Sequence, residues 1–354
     1  MNEKTTSPKT AFVFSGGASL GALEAGALKA IVEEGIKPDL VLGTSVGSLT
    51  GAMFAFNPTM EAVKIIEKVW LNIKVWNVFS PSPITPVVNF TTSGQYLISP
   101  KNLRKLILEN IPYTRIEETQ VPLYIIGTDI KSGVEVVFDK GLVIEALLSS
   151  TCIPGIFPPQ HMKGFAVVDG GLLNNTPIST AVRLGAERVI VFPIGVPSPE
   201  QEPKNLLEIL IRTFIYLLNR QLATDIQLYK NKVDLIIVPP PDSVNVGPHD
   251  FSKSKFLMDE GYKKAKEWLR TEGFVSNSNT YSHNCDVHTS QINFLEAIKP
   301  DPIKKASTRV KESIKETSKS VKENVVEKAD KIYSEIVTKG EEIKEKLERK
   351  KSDN

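Results

Sequence analysis

The residue with the most direct chemical content in this 354-residue chain is Ser45, set in Gly43-Thr44-Ser45-Val46-Gly47. This fits G-x-S-x-G, in which a sharp strand-to-helix turn projects a hydroxyl nucleophile and the glycines remove side chains that would collide. The pattern arises by chance in roughly one chain in ten of this length. Its setting therefore decides: an apolar run at 40–42 precedes it and a small-residue helical stretch follows to Phe56. A second glycine-rich turn, Ser15-Gly16-Gly17-Ala18-Ser19-Leu20-Gly21, closes the strand–helix unit before it. Backbone N–H groups at such a turn can hold a developing oxyanion. A phosphate loop and a plain structural turn are the other readings. Ala22 and Leu23 stand where a P-loop requires Lys and Ser or Thr, which argues against the phosphate loop.

A hydroxyl nucleophile needs a base. The four histidines, His161, His249, His283 and His288, sit in no strand-end motif, so a Ser-His-Asp triad has no support. Asp169-Gly170-Gly171 follows the apolar run 165–168, which puts a carboxylate at the end of a strand. Such an Asp accepts a serine proton where the site is dry enough to raise its basicity. A plain Asp-Gly-Gly turn is the alternative. No His/Asp/Glu cluster has metal-ligand spacing, and neither a metal nor a cofactor is expected.

The elements that must position these residues follow from hydrophobic pattern and glycine punctuation. Strand 10–14, a glycine turn, helix 22–34, strand 40–42, a second glycine turn and a helix to 56 make two consecutive units of a parallel α/β sheet. Further strands are expected at 123–126, 134–138, 165–168, 189–192 and 235–238. Helices are expected at 59–71, 100–109, 142–150, 178–184, 205–229 and 253–270. The Pro-rich stretch 72–99, with Trp76, Phe79 and Phe90, reads as a cap or an irregular insertion over the active face. The greasiest run, 206–218, contains Glu208 and Arg212; it is too short and too charged to span a bilayer and reads as a core helix.

Charge excludes little and points to no nucleic acid, because 43 Lys+Arg against 41 Asp+Glu leaves only +2. Residues 303–354 hold 15 Lys+Arg against 11 Asp+Glu, a net of +4, which leaves 28 against 30 in the rest. Two cysteines, Cys152 and Cys285, cannot build a disulfide framework. The opening MNEKTTSPKT has no apolar run of the leader type. The expectation is a cytoplasmic protein. Four divisions are expected: a polar start at 1–9, a catalytic domain at 10–270, a Ser/Asn-rich linker at 271–302, and a tail at 303–354. The tail repeats every eleven residues, with apolar positions at Val310, Val321, Ile332 and Ile343 and again at Ile314, Val325, Ile336 and Leu347. At 3.67 residues per turn this keeps a stripe along one long amphipathic helix. Peripheral attachment to a membrane or a lipid or polymer granule, a coiled-coil oligomer, and a dispensable extension all remain open for it.

Taken together and in this order, the turn 15–21, the elbow Gly43–Gly47 and Asp169-Gly170-Gly171 resemble the patatin-like phospholipases. The stretches Ser149-Ser150-Thr151-Cys152-Ile153-Pro154-Gly155, Phe157-Pro158-Pro159 and 172–177 agree. The resemblance covers residues 10–270. It implies a three-layer α/β/α fold and hydrolysis of acyl esters of lipids by a Ser–Asp dyad without His or metal. It carries Ser45 over as nucleophile, Asp169 as its partner, and the amides around Gly16, Gly17 and Ala18 as the oxyanion hole. The chain departs from the family in that loop: Ala18 replaces a third glycine and Leu20 a basic residue. Ala18 fits without strain if its φ is negative. A non-lipid carboxylesterase or polyester depolymerase of the same fold, and a weakly catalytic surface scaffold, are the alternatives.

Overall fold

The computed structural model describes residues 8–79, 98–162, 164–194, 202–203, 206–241, 244 and 246–274. The cap stretch 80–97, His283, His288, Cys285, most of the linker and the whole tail with its expected long helix lie outside the described residues.

Within them the chain runs β1 (Thr10–Phe14), α1 (Ala22–Glu33), β2 (Leu40–Thr44), α2 (Val46–Phe56), α3 (Met60–Asn72), the single turn α4 (Val75–Val78) and α5 (Lys101–Asn110). It continues through β3 (Leu123–Asp129), β4 (Val134–Phe138), α6 (Val143–Ser150), β5 (Gln160–Met162), β6 (Phe165–Asp169), α7 (Gly171–Asn174) and α8 (Ile178–Arg183). Last come β7 (Arg188–Phe192), α9 (Leu206–Tyr229), β8 (Asp234–Ile237) and α10 (Ser254–Thr271).

The strands lie in one sheet of order β5-β6-β3-β2-β1-β7-β8, with β4 also on β3. The five strands β3, β2, β1, β7 and β8 are parallel. β4, β5 and β6 join antiparallel, so the sheet is mixed where the two opening units alone predict a parallel one.

Strand alternation sends side chains to both faces. Along β1, Phe12 and Phe14 enter a core with α1, α2, α3, α5, α6 and α10. Ala11 and Val13 enter a second core with Ile178 and Ala181 of α8 and Leu222 and Ile226 of α9. Helices thus cover both faces, in the three-layer α/β/α arrangement. Phe14 stacks on Phe192 with ring centroids 4.7 Å apart, directly below the turn that follows β1. Burying each such ring contributes roughly 1.5–3 kcal/mol, which makes the base of that turn rigid.

The run 206–218, expected as a core helix, opens α9, which packs into the second core through one face. In α9, Ile215, Leu222, Ala223 and Ile226 are buried, whereas Ile209, Tyr216, Leu217 and Leu228 are exposed. Length and greasiness do not reveal which face a helix buries; α9 covers the sheet on one side only.

Candidate active site

Strand β3 explains how two residues 124 positions apart meet. Its residues 123–126 pair with β2, and 127–129 pair with β6, while β4 holds the opposite edge. β2 runs parallel to β3 and β6 antiparallel, so the two share one edge and abut C-terminus to C-terminus. Thr44 lies beside Ile126 and Asp169 beside the next residue, Gly127. The residue after Thr44 is Ser45, and this junction brings its hydroxyl to the Asp169 carboxylate, whose proton affinity it lowers.

The turn between β2 and α2 forces Ser45 to φ 52° and ψ −127°, which holds it on the sharp elbow. Such a conformation costs of order 1–3 kcal/mol and persists only where neighbours over-determine it. Here the Ser45 amide donates to Ser150 Oγ at 2.9 Å, and Ser45 O accepts from the Ser48 amide at 3.0 Å and Ser48 Oγ at 2.6 Å. Thr44 Oγ1 donates to Asn174 O at 2.8 Å, tying the elbow to the segment after Asp169. Gly43 and Gly47 are required by approach: a Cβ on Gly43 would strike the Gly47 carbonyl, and one on Gly47 the backbone of Phe14 and Ser15. Ser45 is also the residue at the N-terminus of α2, whose dipole favours negative charge there.

Asp169 is buried, and desolvation pushes its carboxyl up to about 6, although the nearby Ser45 hydroxyl and the Gly171 amide, which donates to it at 2.8 Å, both pull it down. It is thus a much better proton acceptor than an ordinary carboxylate, yet still largely ionised at neutral pH. Burial pushes the neighbouring Cys152 thiol up to about 12, so it stays protonated and offers no rival nucleophile. His161 and His249 are exposed on the surface. Among the described residues no cluster of His, Cys, Asp and Glu is arranged to hold a metal.

The glycine-rich turn lies against the elbow, since a Cβ on Gly16 would come 2.9 Å from Ser45 Cβ. Asn175 clamps Gly16 from both sides: its carbonyl accepts the Gly16 amide at 3.2 Å and its Nδ2 donates to Gly16 O at 3.1 Å. The Gly16 amide is therefore engaged, which removes it as an oxyanion donor. The Gly17 and Ala18 amides donate no hydrogen bond among the described residues. Ala18 has φ 51°, so the condition of a negative φ is not met. A left-handed non-glycine residue costs roughly 1–2 kcal/mol, a strain this turn carries in place of the family's glycine.

From Ser45 and Ala18 an almost wholly apolar cavity opens, walled by Leu49, Met53, Trp70, Leu103, Phe157 and others from α2, α3, α5 and the segment after α6. Ile73, Val78 and Phe79 of the described part of the expected cap line it as well.

A profile of the patatin-like phospholipase family matches residues 12–182, the span from β1 through the elbow and Asp169 to α8. Residues 12–182 are a patatin-like phospholipase domain by this match. The match takes in Ser45, Asp169 and the glycine-rich turn. Patatin-like phospholipase domain-containing protein 7 of Rattus norvegicus is 28% identical over 187 residues, covering 52% of this chain and 13% of the relative. Lysophospholipase NTE1 of Mycosarcoma maydis is 28% identical over 185 residues, 52% of this chain and 9% of the relative. The alignments thus take in only about an eighth or less of these relatives' own lengths. Among solved structures, human GIVD cytosolic phospholipase A2 with a bound fluorophosphonate superposes at TM-score 0.41 and 12% identity, over 78% of this chain and 59% of that one. VipD from Legionella pneumophila superposes at TM-score 0.39 and 15% identity, over 75% and 67%.

Three residues that position this patatin-like site carry no signal by type or spacing. Glu24 on α1 is buried, and its Oε1 accepts the Ser15 amide at 2.6 Å, holding the first residue of the glycine-rich turn. Burial raises its carboxyl well above the usual range. Ser150 and Asn175 lie in stretches that carry the family resemblance, but only folding shows that one meets the Ser45 amide and the other Gly16.

Proposed function

We propose that this patatin-like domain is a serine acyl hydrolase that cleaves carboxylic esters of lipids. The observation that carries the reading is the end-to-end junction of β2 and β6 on β3, which sets Ser45 beside a buried, basicity-raised Asp169 at the mouth of an apolar cavity. Ser45 Oγ attacks the ester carbonyl as its proton passes to Asp169. The oxyanion is held by the Gly17 and Ala18 amides, with the N-terminus of α2 adding a favourable field. The protonated Asp169 then returns its proton to the leaving alcohol, and an acyl-Ser45 remains with its chain in the cavity. Water, deprotonated by Asp169, releases the fatty acid and restores the serine. Gly43, Gly47, Gly170 and Gly171 support the two turns. The lysophospholipase name of a relative agrees with a single-chain lipid substrate.

No described helix is long and apolar enough to cross a membrane. Peripheral attachment to an anionic lipid surface is assigned to residues 303–354, whose apolar stripe is bordered by Lys. The catalytic reading is tested by labelling the full chain with a fluorophosphonate and by measuring fatty acid released from a mixed lipid extract. Labelling and release that both vanish in Ser45→Ala support it; an unlabelled, inactive wild-type chain overturns it.

A further inference from the structure

The cavity that opens from Ser45 has one wall group that an unmodified hydrocarbon chain leaves unserved. Besides Ser45, its described polar wall residues are Thr50, Asn110 and Thr151. Asn110 Nδ2 donates to Leu106 O at 2.8 Å and Thr151 Oγ1 to Leu147 O at 2.7 Å, so each has a partner on the preceding helical turn. Thr50 does not. It is fully buried on α2, and its Oγ1 has no hydrogen-bond partner among the described residues. A buried hydroxyl without a partner bears its whole desolvation penalty, and nearly all such groups in folded proteins find one. Valine has the same shape and would fill this wall without that penalty.

Thr50 is five residues beyond the nucleophile on the same helix. At 1.5 Å per residue it sits about 7.5 Å along the axis from Ser45. That is the reach of on the order of six carbons of an extended chain, given single bonds of about 1.5 Å in zigzag. A chain seated as an acyl-Ser45 would therefore pass Thr50 at an in-chain carbon, neither at the ester nor at the far end.

We propose that the cavity selects acyl chains bearing a hydrogen-bonding oxygen within the chain, such as a hydroxyl, with Thr50 as the group that recognises it. This rests on the acyl-hydrolase reading of the same site. The selection is asymmetric for a physical reason. An oxygenated chain gives the Thr50 hydroxyl the partner it lacks, whereas a plain chain leaves it unpaired, as it is in the free protein.

The test uses the full-length chain and nitrophenyl decanoates, one unsubstituted and others carrying a single hydroxyl at successive mid-chain carbons. The readout is the ratio of kcat/KM for each hydroxylated ester to that for the plain one. In the wild type the ratio is expected to peak at one position, at tenfold or more above its value at the flanking positions. Thr50→Val should abolish the peak, and Thr50→Ser, which keeps the donor and guards against a valine variant that folds poorly, should retain it. A wild type that cleaves plain decanoate with a ratio flat across positions overturns the proposal and leaves the hydrolase reading standing. A peak that survives in Thr50→Val also overturns it. A wild type that cleaves none of the esters overturns the hydrolase reading and this proposal with it.

Discussion

At the residue scale, Asp169 links activity to stability through a single shift. Its carboxyl titrates at about 6 in the fold, against about 3.9 for an unperturbed Asp. As the proposed base it must be ionised, so kcat/KM on a soluble ester is expected to fall about tenfold per pH unit below about pH 6. The sign for stability runs the other way. The folded state holds the proton more tightly than the unfolded one, so the stabilisation present below about pH 4 is lost as pH rises to about 6. Asp169→Asn should therefore be inactive yet more stable than wild type at pH 8, by up to about 3 kcal/mol, with the gap closing below pH 4. Denaturant unfolding at both pH values checks this; a variant less stable than wild type at pH 8 contradicts it. Glu24 makes a different case, because burial raises its carboxyl well above the usual range while its Oε1 serves as acceptor for the Ser15 amide. Glu24→Gln keeps the acceptor for the Ser15 amide and should change stability by less than about 1 kcal/mol. Glu24→Leu leaves that amide unpaired and should cost about 1–3 kcal/mol.

At the scale of elements, the site is a junction of two turns held by a third segment. α7 and the residues after it clasp both: Asn174 O accepts from Thr44 Oγ1, and Asn175 clamps Gly16. Gln221 on α9 fixes that segment in turn, with its Oε1 accepting the Asn175 amide at 2.9 Å and its Nε2 donating to Leu173 O. Asn175 thus acts as a positioning residue for the oxyanion turn. Asn175→Ala removes the side-chain half of the clamp. Loss of a well-placed oxyanion donor costs about 100-fold or more. A turn merely loosened should lose on the order of tenfold in kcat with KM little changed. Steady-state kinetics on a short-chain ester separates the two parameters, and a rise in KM alone would show that Asn175 serves the cavity instead.

At the scale of the molecule, the domain that holds the chemistry and the residues proposed to bring it to its substrate are separate parts of the chain. A chain ending at residue 300 is expected to keep turnover on a soluble short-chain ester. It should lose binding to anionic vesicles and most activity on lipid presented there, and salt should reproduce part of that loss in the full-length protein. Vesicle flotation and sedimentation distinguish this from an assembly role. Should truncation convert an oligomer to a monomer and leave vesicle binding intact, residues 303–354 are a coiled-coil device.

What the sequence determined by itself is everything set by short range. Strand period, glycine turns and apolar runs place β1, α1, β2 and α2 with small shifts at their ends, because each is dictated by neighbours within a few positions. They likewise mark Ser45 and Asp169 as strand-end residues. The three-residue strand β5 and the turn α4 are too short to leave a periodic trace. Tertiary structure alone decided that β6 runs antiparallel and meets β2 end to end on β3, since pairing direction depends on partners far along the chain. It alone decided that the Gly16 amide goes to Asn175, that Ala18 takes a positive φ, and that Thr50 lies unpaired in a cavity wall. Desolvation and hydrogen-bond occupancy are properties of what surrounds a group in space, and residue type and spacing along the chain do not contain them.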